Sequence, residues 1–69
     1  MFNYTIEIDR EEDGRWIAEI EGLPGVMVYG DTESDAISRV EALALRVLAD
    51  KIEEAETSSA AISINFAAA

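Results

Sequence analysis

Cysteine and histidine are both absent from the 69 residues of the sequence. Without cysteine the chain has no disulfide, no thiolate zinc site and no thiol nucleophile. Without histidine it also lacks the commonest general base and metal ligand. The serines lie in no recognisable nucleophile motif, and the glycines form no phosphate-binding loop followed by lysine. We therefore expect no catalytic residue, no metal site and no cofactor.

Basic residues are scarce as well. The sequence has 5 Lys and Arg residues against 15 Asp and Glu residues, for a formal net charge of -10, and Arg10 and Arg15 are the only cations before Arg39. A field of this sign repels phosphate backbones and anionic lipids and attracts basic partners. We expect no direct contact with nucleic acid or membrane. Charge alone leaves open that the acidity only keeps a small domain soluble.

Long apolar runs are missing too. No stretch approaches the roughly 20 apolar residues that cross a bilayer, and the first residues lack the basic region and apolar segment of a signal peptide. We expect a cytoplasmic protein with a single domain over residues 1–69. Because so short a chain builds only a small core, self-association is a standing expectation.

Alternation of apolar and polar residues predicts four strands, over residues 2–9, 15–21, 26–29 and 62–66. A polar connection ending in Gly14 joins the first two strands, and the turn at residues 22–25 joins the second and third. Since the apolar set of a strand lies on one face, Phe2, Tyr4 and Ile6 are expected to face the core.

A helix is predicted between the third and fourth strands. Thr32 is a suitable cap, and apolar residues recur at three- and four-residue spacing from Ala36 through Ile52, so the helix should reach about residue 55. A right-handed crossover then places the last strand parallel to the first and beside it. The predicted fold is α+β, in the order β-β-β-α-β, with one helix packed on one face of a four-stranded mixed sheet.

One helix covers only one side of such a sheet, so the other side has nothing in the chain to bury it. We call this side the open face; the residues predicted on it are Asn3, Thr5, Glu7, Ile17, Glu19, Met27, Tyr29, Ser63 and Asn65. Its mixture of carboxylates and apolar groups suits a protein partner or a second copy. Glu7, Glu19 and Tyr29 are the first candidates for that contact, with Ile17 and Met27 beside them. The alternative is an ordinary solvated antiparallel face.

The predicted order of elements resembles the first half of a ribonuclease H-like fold, which raises the possibility of two-metal catalysis. Such nucleases need carboxylates that converge from the first strand, the helix and the fourth strand. Glu7 and Asp9 are available on the first strand and Glu41 on the helix, but the fourth strand offers only a hydroxyl and an amide. The acidic run at residues 11–13 is better explained as a solvated turn than as a calcium loop. The sequence therefore argues against an active metal site.

Several short motifs resemble those of the HicB family of toxin-antitoxin antitoxins. They are Tyr4 on the first strand, Asp13-Gly14 followed by Trp16, then Leu23-Pro24-Gly25, Gly30-Asp31-Thr32 and the helix start at Asp35-Ala36. The resemblance covers roughly residues 2 to 50. Leu-Pro-Gly followed at this distance by Gly-Asp-Thr is its most specific part.

The resemblance implies a degenerate, non-catalytic ribonuclease H-like module that binds a small basic HicA-type mRNA-cleaving toxin and covers its active site. It also implies homodimers or larger assemblies. The motif residues are expected to be structural; they are Leu23, Pro24, Gly25, Gly30, Asp31 and Thr32. The position after Pro-Gly, often cysteine in the family, is Val26, a similarly small apolar group. Many members carry a C-terminal DNA-binding segment, and the resemblance does not extend to one here. The alternative function is a self-associating structural domain without a toxin partner.

Overall fold

The order of elements is the predicted one. A computed structural model describes residues 2–55 and 63–68. It contains β1 (Phe2–Arg10), β2 (Trp16–Ile20), β3 (Met27–Gly30), α1 (Glu33–Ala55) and β4 (Ile64–Ala68). The four strands form one sheet in the order β3-β2-β1-β4, with β4 parallel to β1 and the other pairs antiparallel. The α+β prediction, including the parallel last strand, is confirmed.

The first hairpin turns at the acidic connection. The Glu11 N–H donates to the Arg15 carbonyl at 2.7 Å, and the Gly14 N–H donates to the Glu11 carbonyl at 3.0 Å. Gly14 has φ +93°, a conformation that residues with a Cβ rarely adopt. The turn sets the register from Ile6 opposite Ile20 to Arg10 opposite Trp16.

The second connection folds back under the sheet. The Leu23 N–H donates to the Ile20 carbonyl at 3.3 Å, the Val26 N–H donates to the Leu23 carbonyl at 3.1 Å, and Leu23 and Val26 are both buried. The apolar pattern predicts Val26 as the first residue of the third strand, but it lies in this connection and β3 begins at Met27. Its side chain is buried all the same, and its carbonyl accepts a hydrogen bond from the Ile20 N–H at 3.1 Å, so contact with the end of β2 begins one residue before β3.

The helix begins where the cap pattern predicts. Thr32 Oγ1 accepts a hydrogen bond from the Asp35 N–H at 3.0 Å, and the Thr32 carbonyl accepts from the Ala36 N–H at 3.1 Å. Gly30 lies directly under this first turn, and a Cβ there would be 2.5 Å from the Ala36 nitrogen. No helix in the described ranges combines the length and apolar character needed to cross a membrane.

The core lies between α1 and the strands beneath it. Its buried members are Ile6, Ala18, Ile20, Leu23, Val26, Ala36, Val40, Ala44 and Leu48. The helix lies mainly over β3 and β2 and reaches β1 only in part. Helical spacing predicts Ile52 in the buried stripe, but it is 43% exposed. Leu48 is the last buried residue of the stripe in the described part of α1.

Strand β1 is shared unequally between its two neighbours. Residues 2–6 pair with β4 and residues 6–10 pair with β2, so among the described pairings Ile6 alone has a partner on both sides. The first half of β1 and all of β4 therefore form a two-stranded ribbon that projects past the end of β2. This stagger contributes to the elongated Cα envelope of 45 × 19 × 16 Å.

The boundaries of the last strand differ from the prediction. The predicted strand covers residues 62–66, whereas β4 is Ile64–Ala68, and Ile62 lies outside the described residues. Ala67 and Ala68 pair with Thr5 and Ile6, although their side chains carry no strand signal. Backbone hydrogen bonds to β1, rather than side-chain pattern, extend the strand through them.

Candidate functional site

The strand register places the carboxylates and apolar side chains of the open face in two rows that cross the sheet. In the first row Glu7 lies opposite Glu19, which lies opposite Met27. In the second row Asp9 lies opposite Ile17, which lies opposite Tyr29. Each row begins with an acid on β1 and ends with an apolar group on β3. The face is therefore acidic on one side and apolar on the other.

Two like charges face each other in the first row. Glu7 and Glu19 are direct antiparallel partners, and both are exposed. Such partners have Cβ atoms about 4.5–5.5 Å apart, where like charges are destabilising. Among the described residues the one ion pair joins Arg15 and Asp13, so no described cation forms an ion pair with these two carboxylates. A cation from another molecule would relieve the repulsion.

Apolar side chains on the same face remain accessible. Met27 is 48% exposed and Tyr29 is 39% exposed, while Ile17 between them and the acids is half-buried. Large exposed apolar groups next to carboxylates are the composition of a protein-binding surface. The open face can thus offer both electrostatic attraction and apolar contact to a partner.

Arg15 lies at one end of the open face. Its guanidinium carbon lies 4.3 Å from the centre of the Tyr29 ring, and its Nε is 2.8 Å from Asp13 Oδ2. The Arg15 backbone N–H also donates to Asp13 Oδ1 at 3.0 Å. This backbone hydrogen bond, and after it the side-chain one, lowers the pKa of Asp13. The charge of Arg15 is thereby engaged with Asp13 and Tyr29.

Two shallow depressions lie along the face. One of about 350 Å³ is lined by Glu7, Asp9, Arg10, Glu11, Ile17 and Glu19. The other, of about 320 Å³, lies between Glu7, Glu19 and the turn at residues 20–25. Both are open to solvent and both include the Glu7–Glu19 pair. Their shape suits side chains of a partner rather than an enclosed small molecule.

All five residues predicted for the partner contact lie on this one face, since Glu7, Glu19, Ile17, Met27 and Tyr29 occupy the two rows described above. Of the motif residues, Leu23 is in the core, and Pro24 and Gly25 border the second depression. Gly30 is the last residue of β3, and Asp31 and Thr32 connect it to the first residue of α1, Glu33.

Sequence reasoning misses two members of the open face. It considers Asp9 only as a metal ligand, yet the alternation of β1 already puts that residue on the same side as Glu7. Alternation also points Arg15 outward, but its position over Tyr29 depends on the register between β2 and β3. The sequence of a single strand does not determine that register.

The carboxylates of the nuclease hypothesis do not converge. Glu7 and Asp9 belong to the open face, whereas Glu41 is on α1, which packs on the opposite face of the sheet. Within residues 2–55 and 63–68 no group of three or more Asp, Glu, His or Cys side chains is placed to hold a metal ion. The described site has the chemistry of cation recognition and apolar contact.

Comparisons with known proteins add no family assignment. A scan against protein-family models, a search of curated proteins and a search of solved structures each found no match to this chain.

Proposed function

We propose that this chain is a non-catalytic binding module whose open face holds a basic protein. The observation that supports this most directly is the opposed pair of Glu7 and Glu19, without an ion-pair partner in the described chain, beside exposed apolar side chains on the same face. A folded protein keeps directly opposed like charges at a cost. A cation bound there would remove the repulsion, and the free energy gained would contribute to the affinity.

The motif resemblance to HicB antitoxins supports a more specific partner, a small basic HicA-type mRNA-cleaving toxin. A protein that cleaves RNA must attract phosphate, so its own active-site surface is expected to be basic. Carboxylates arranged in rows compete with phosphate for that surface and cover it. The net charge of -10 adds long-range attraction, which raises the association rate.

In the proposed complex, lysine or arginine side chains of the toxin enter the depressions and bridge Glu7 and Glu19. Ile17, Met27 and Tyr29 provide the apolar contact that excludes water around those charges. Arg15 marks the limit of the acidic region, because a cation there repels further basic groups. The module thus inhibits by occupancy, and no bond is made or broken.

The test reverses the charge of the pair. Glu7→Lys with Glu19→Lys places two cations in the first row, and we expect binding of the basic protein to weaken by about 100-fold or more, since like charges across an interface cost several kcal/mol. Binding is measured by calorimetry with a small basic HicA-type toxin, and inhibition by the RNA cleavage that remains when the toxin and this chain are mixed.

The matched control is Glu53→Lys with Glu54→Lys. These two exposed residues lie near the end of α1, so the control makes the same change in net charge away from the open face. We expect it to bind within a few-fold of the unmodified chain. Equal loss in both double variants would assign the attraction to net charge and not to this face, and normal binding by the Glu7 and Glu19 variant would refute the proposed site.

A further inference from the structure

The outer edge of β4 ends the sheet. In the described part of the chain no strand pairs with β4 on the side away from β1. The Phe2 N–H donates to the Ser63 carbonyl at 2.7 Å, so the backbone groups of Ser63, and by alternation those of Asn65 and Ala67, point toward β1. The N–H and C=O groups of Ile64, Phe66 and Ala68 therefore point outward.

Several features by which proteins protect exposed strands are missing from the described part of this edge. Edge strands are usually shortened, or carry lysine, proline or a bulge. No charged residue and no proline occurs from Thr57 to Ala69. The opposite edge, β3, is only 4 residues long, and the Arg39 guanidinium reaches it, with Nη1 3.5 Å from the Tyr29 carbonyl oxygen. The β3 edge is thus short and contacted by an arginine, whereas the described part of the β4 edge has no charged residue and no proline.

Apolar surface adjoins the unprotected edge. On the side of the sheet that α1 occupies, Phe2 is 51% exposed and Tyr4, Ile64 and Phe66 are half-buried. The Tyr4 and Phe66 rings stack with centres 5.9 Å apart. The helix lies mainly over β3 and β2, so it leaves this end of the ribbon with partial cover.

We infer that β4 is a self-association edge, at which a second copy of this chain adds its own β4 in antiparallel orientation about a two-fold axis. Two sheets of four strands then become one sheet of eight. The charge distribution favours a second copy over a basic protein. A basic protein would meet no carboxylate side chain on β4. Two copies that each carry a net charge of -10 would repel each other least where they meet along an uncharged strand. A two-fold axis makes such an edge complementary to itself.

The geometry restricts the register of this pairing. Directly opposed residues in an antiparallel pair point to the same face, and the register that pairs the whole of β4 with its copy puts Phe66 opposite its own counterpart and Ala68 opposite Ile64. This register keeps Ile64 and Phe66 of the two copies on the same side and matches outward backbone groups with outward backbone groups. A shift by one residue would break both conditions.

The contact leaves the open face free. A two-fold axis normal to the sheet places the open faces of both copies on the same side of the eight-stranded sheet. The proposed dimer is therefore independent of the proposed function, and the Glu7→Lys, Glu19→Lys variant is expected to dimerise at least as tightly as the unmodified chain, because it carries less net negative charge.

The first test is Ala68→Pro. The Ala68 N–H points away from β1, so proline there removes an outward donor and keeps the β1 pairing. Two donors are lost per dimer, and we expect dimerisation to weaken by about ten- to hundredfold. Sedimentation velocity over a wide concentration range measures the association, and circular dichroism checks the fold. A monomer at every concentration of the unmodified chain, or unchanged dimerisation of a folded Ala68→Pro variant, overturns the inference.

The second test needs no change to the backbone. Because the chain has no cysteine, Asn65→Cys introduces a single thiol near the axis, and a short bis-maleimide should link two copies. Asn3→Cys is the matched control: Asn3 is the β1 partner of Asn65, is also exposed, and lies on the same face, but is separated from its counterpart by about three strand spacings, ~14 Å. Linkage of the Asn65→Cys variant alone supports the edge; equal linkage of both variants, or of neither, contradicts it.

Discussion

Two acidic side chains on the open face repel each other and so lower the stability of the free protein. Glu7 and Glu19 are exposed direct partners, and no cation of the described residues forms an ion pair with them. Asp13 and Arg15, by contrast, form a local pair stabilised by a backbone and a side-chain hydrogen bond. The chain pairs one carboxylate with Arg15 in a turn and leaves two opposed carboxylates on the central strands without a described ion-pair partner.

Glu19→Gln is expected to stabilise the free protein. The substitution removes one of two opposed charges and keeps the size of the side chain, for a gain of about 0.2–1 kcal/mol in the free energy of unfolding. Urea denaturation measures it, with Glu12→Gln in the solvated turn as the control of equal charge. The gain should shrink at high salt, where exposed charges are screened. A destabilised Glu19→Gln would mean that the carboxylate has a stabilising partner.

Arg15→Gln should raise the pKa of Asp13 only part of the way to its usual value. The largest cause of the lowered pKa is the hydrogen bond from the Arg15 backbone N–H, which the substitution keeps, and the second is the side-chain hydrogen bond, which it removes. A carboxyl with a lowered folded-state pKa adds stability above its unfolded pKa of about 3.9 and loses it as pH falls through the folded value. NMR titration of the Asp13 carboxyl measures the shift; no change would mean that the backbone contact acts alone.

The connection between β3 and α1 requires particular residues at two positions. Gly30 allows the start of α1 to lie against β3, and Thr32 then accepts the hydrogen bond of the Asp35 N–H. These two positions fix where the helix crosses the sheet. They therefore determine which side is covered and which becomes the open face.

Gly30→Ala is expected to destabilise the fold by about 1–3 kcal/mol, the usual cost of forcing extra atoms into a packed site. The added Cβ would lie 2.5 Å from the Ala36 nitrogen, a backbone atom that cannot rotate away. Gly22→Asn is the control, because a Cβ there meets nothing within 4 Å and asparagine tolerates positive φ. Thermal denaturation of both variants measures the difference; equal effects would remove the steric explanation.

Thr32→Ala should cost about 1 kcal/mol, since it removes the oxygen that accepts from the Asp35 N–H. Thr32→Ser keeps that oxygen and should restore most of the stability. Chemical denaturation of the three proteins gives the comparison. If serine were no better than alanine, the cap would contribute nothing and the effect would lie in the lost methyl group.

The sequence predicts much of this architecture because its signals are local. Alternation along β1 and β2 identifies which side chains share a face, and Thr32 marks the helix start. The stagger of β1 is different, because it depends on where β4 pairs, and Ala67 and Ala68 carry no pattern that reveals it. Ile52 fails for a related reason, since helical spacing does not show where the buried stripe ends. Arg15 over Tyr29 likewise required the register between two strands.

The whole molecule carries its charge unevenly. The net charge of -10 comes from the residues up to Glu56, and the segment after it is uncharged. This asymmetry underlies the two proposals, an acidic open face that binds a basic partner and a neutral edge that pairs with a second copy. The two associations should respond to salt in opposite directions.

Raising the salt concentration from about 0.05 M to about 0.5 M should strengthen dimerisation and weaken binding of the basic protein. Screening reduces the repulsion between two acidic copies and also reduces the attraction between unlike charges. Sedimentation velocity and calorimetry at both concentrations measure the two trends. If both associations changed in the same direction, the two surfaces would not be electrostatically distinct.

Among the described pairings, Ile6 is the one residue of β1 with a partner on both sides, so the pairing of β1 changes there from β4 to β2. The ladder toward β2 is backed by the helix, while the ladder toward β4 has little beneath it. β4 can therefore separate from β1 as far as Ile6 while the helix stays packed on the sheet, and the amide hydrogens of Phe2 and Tyr4, which point toward β4, would exchange with solvent long before those of Glu7 and Asp9, which point toward β2. A second copy paired with the outer edge of β4 would slow the exchange of the Phe2 and Tyr4 amide hydrogens and bring it closer to that of Glu7 and Asp9.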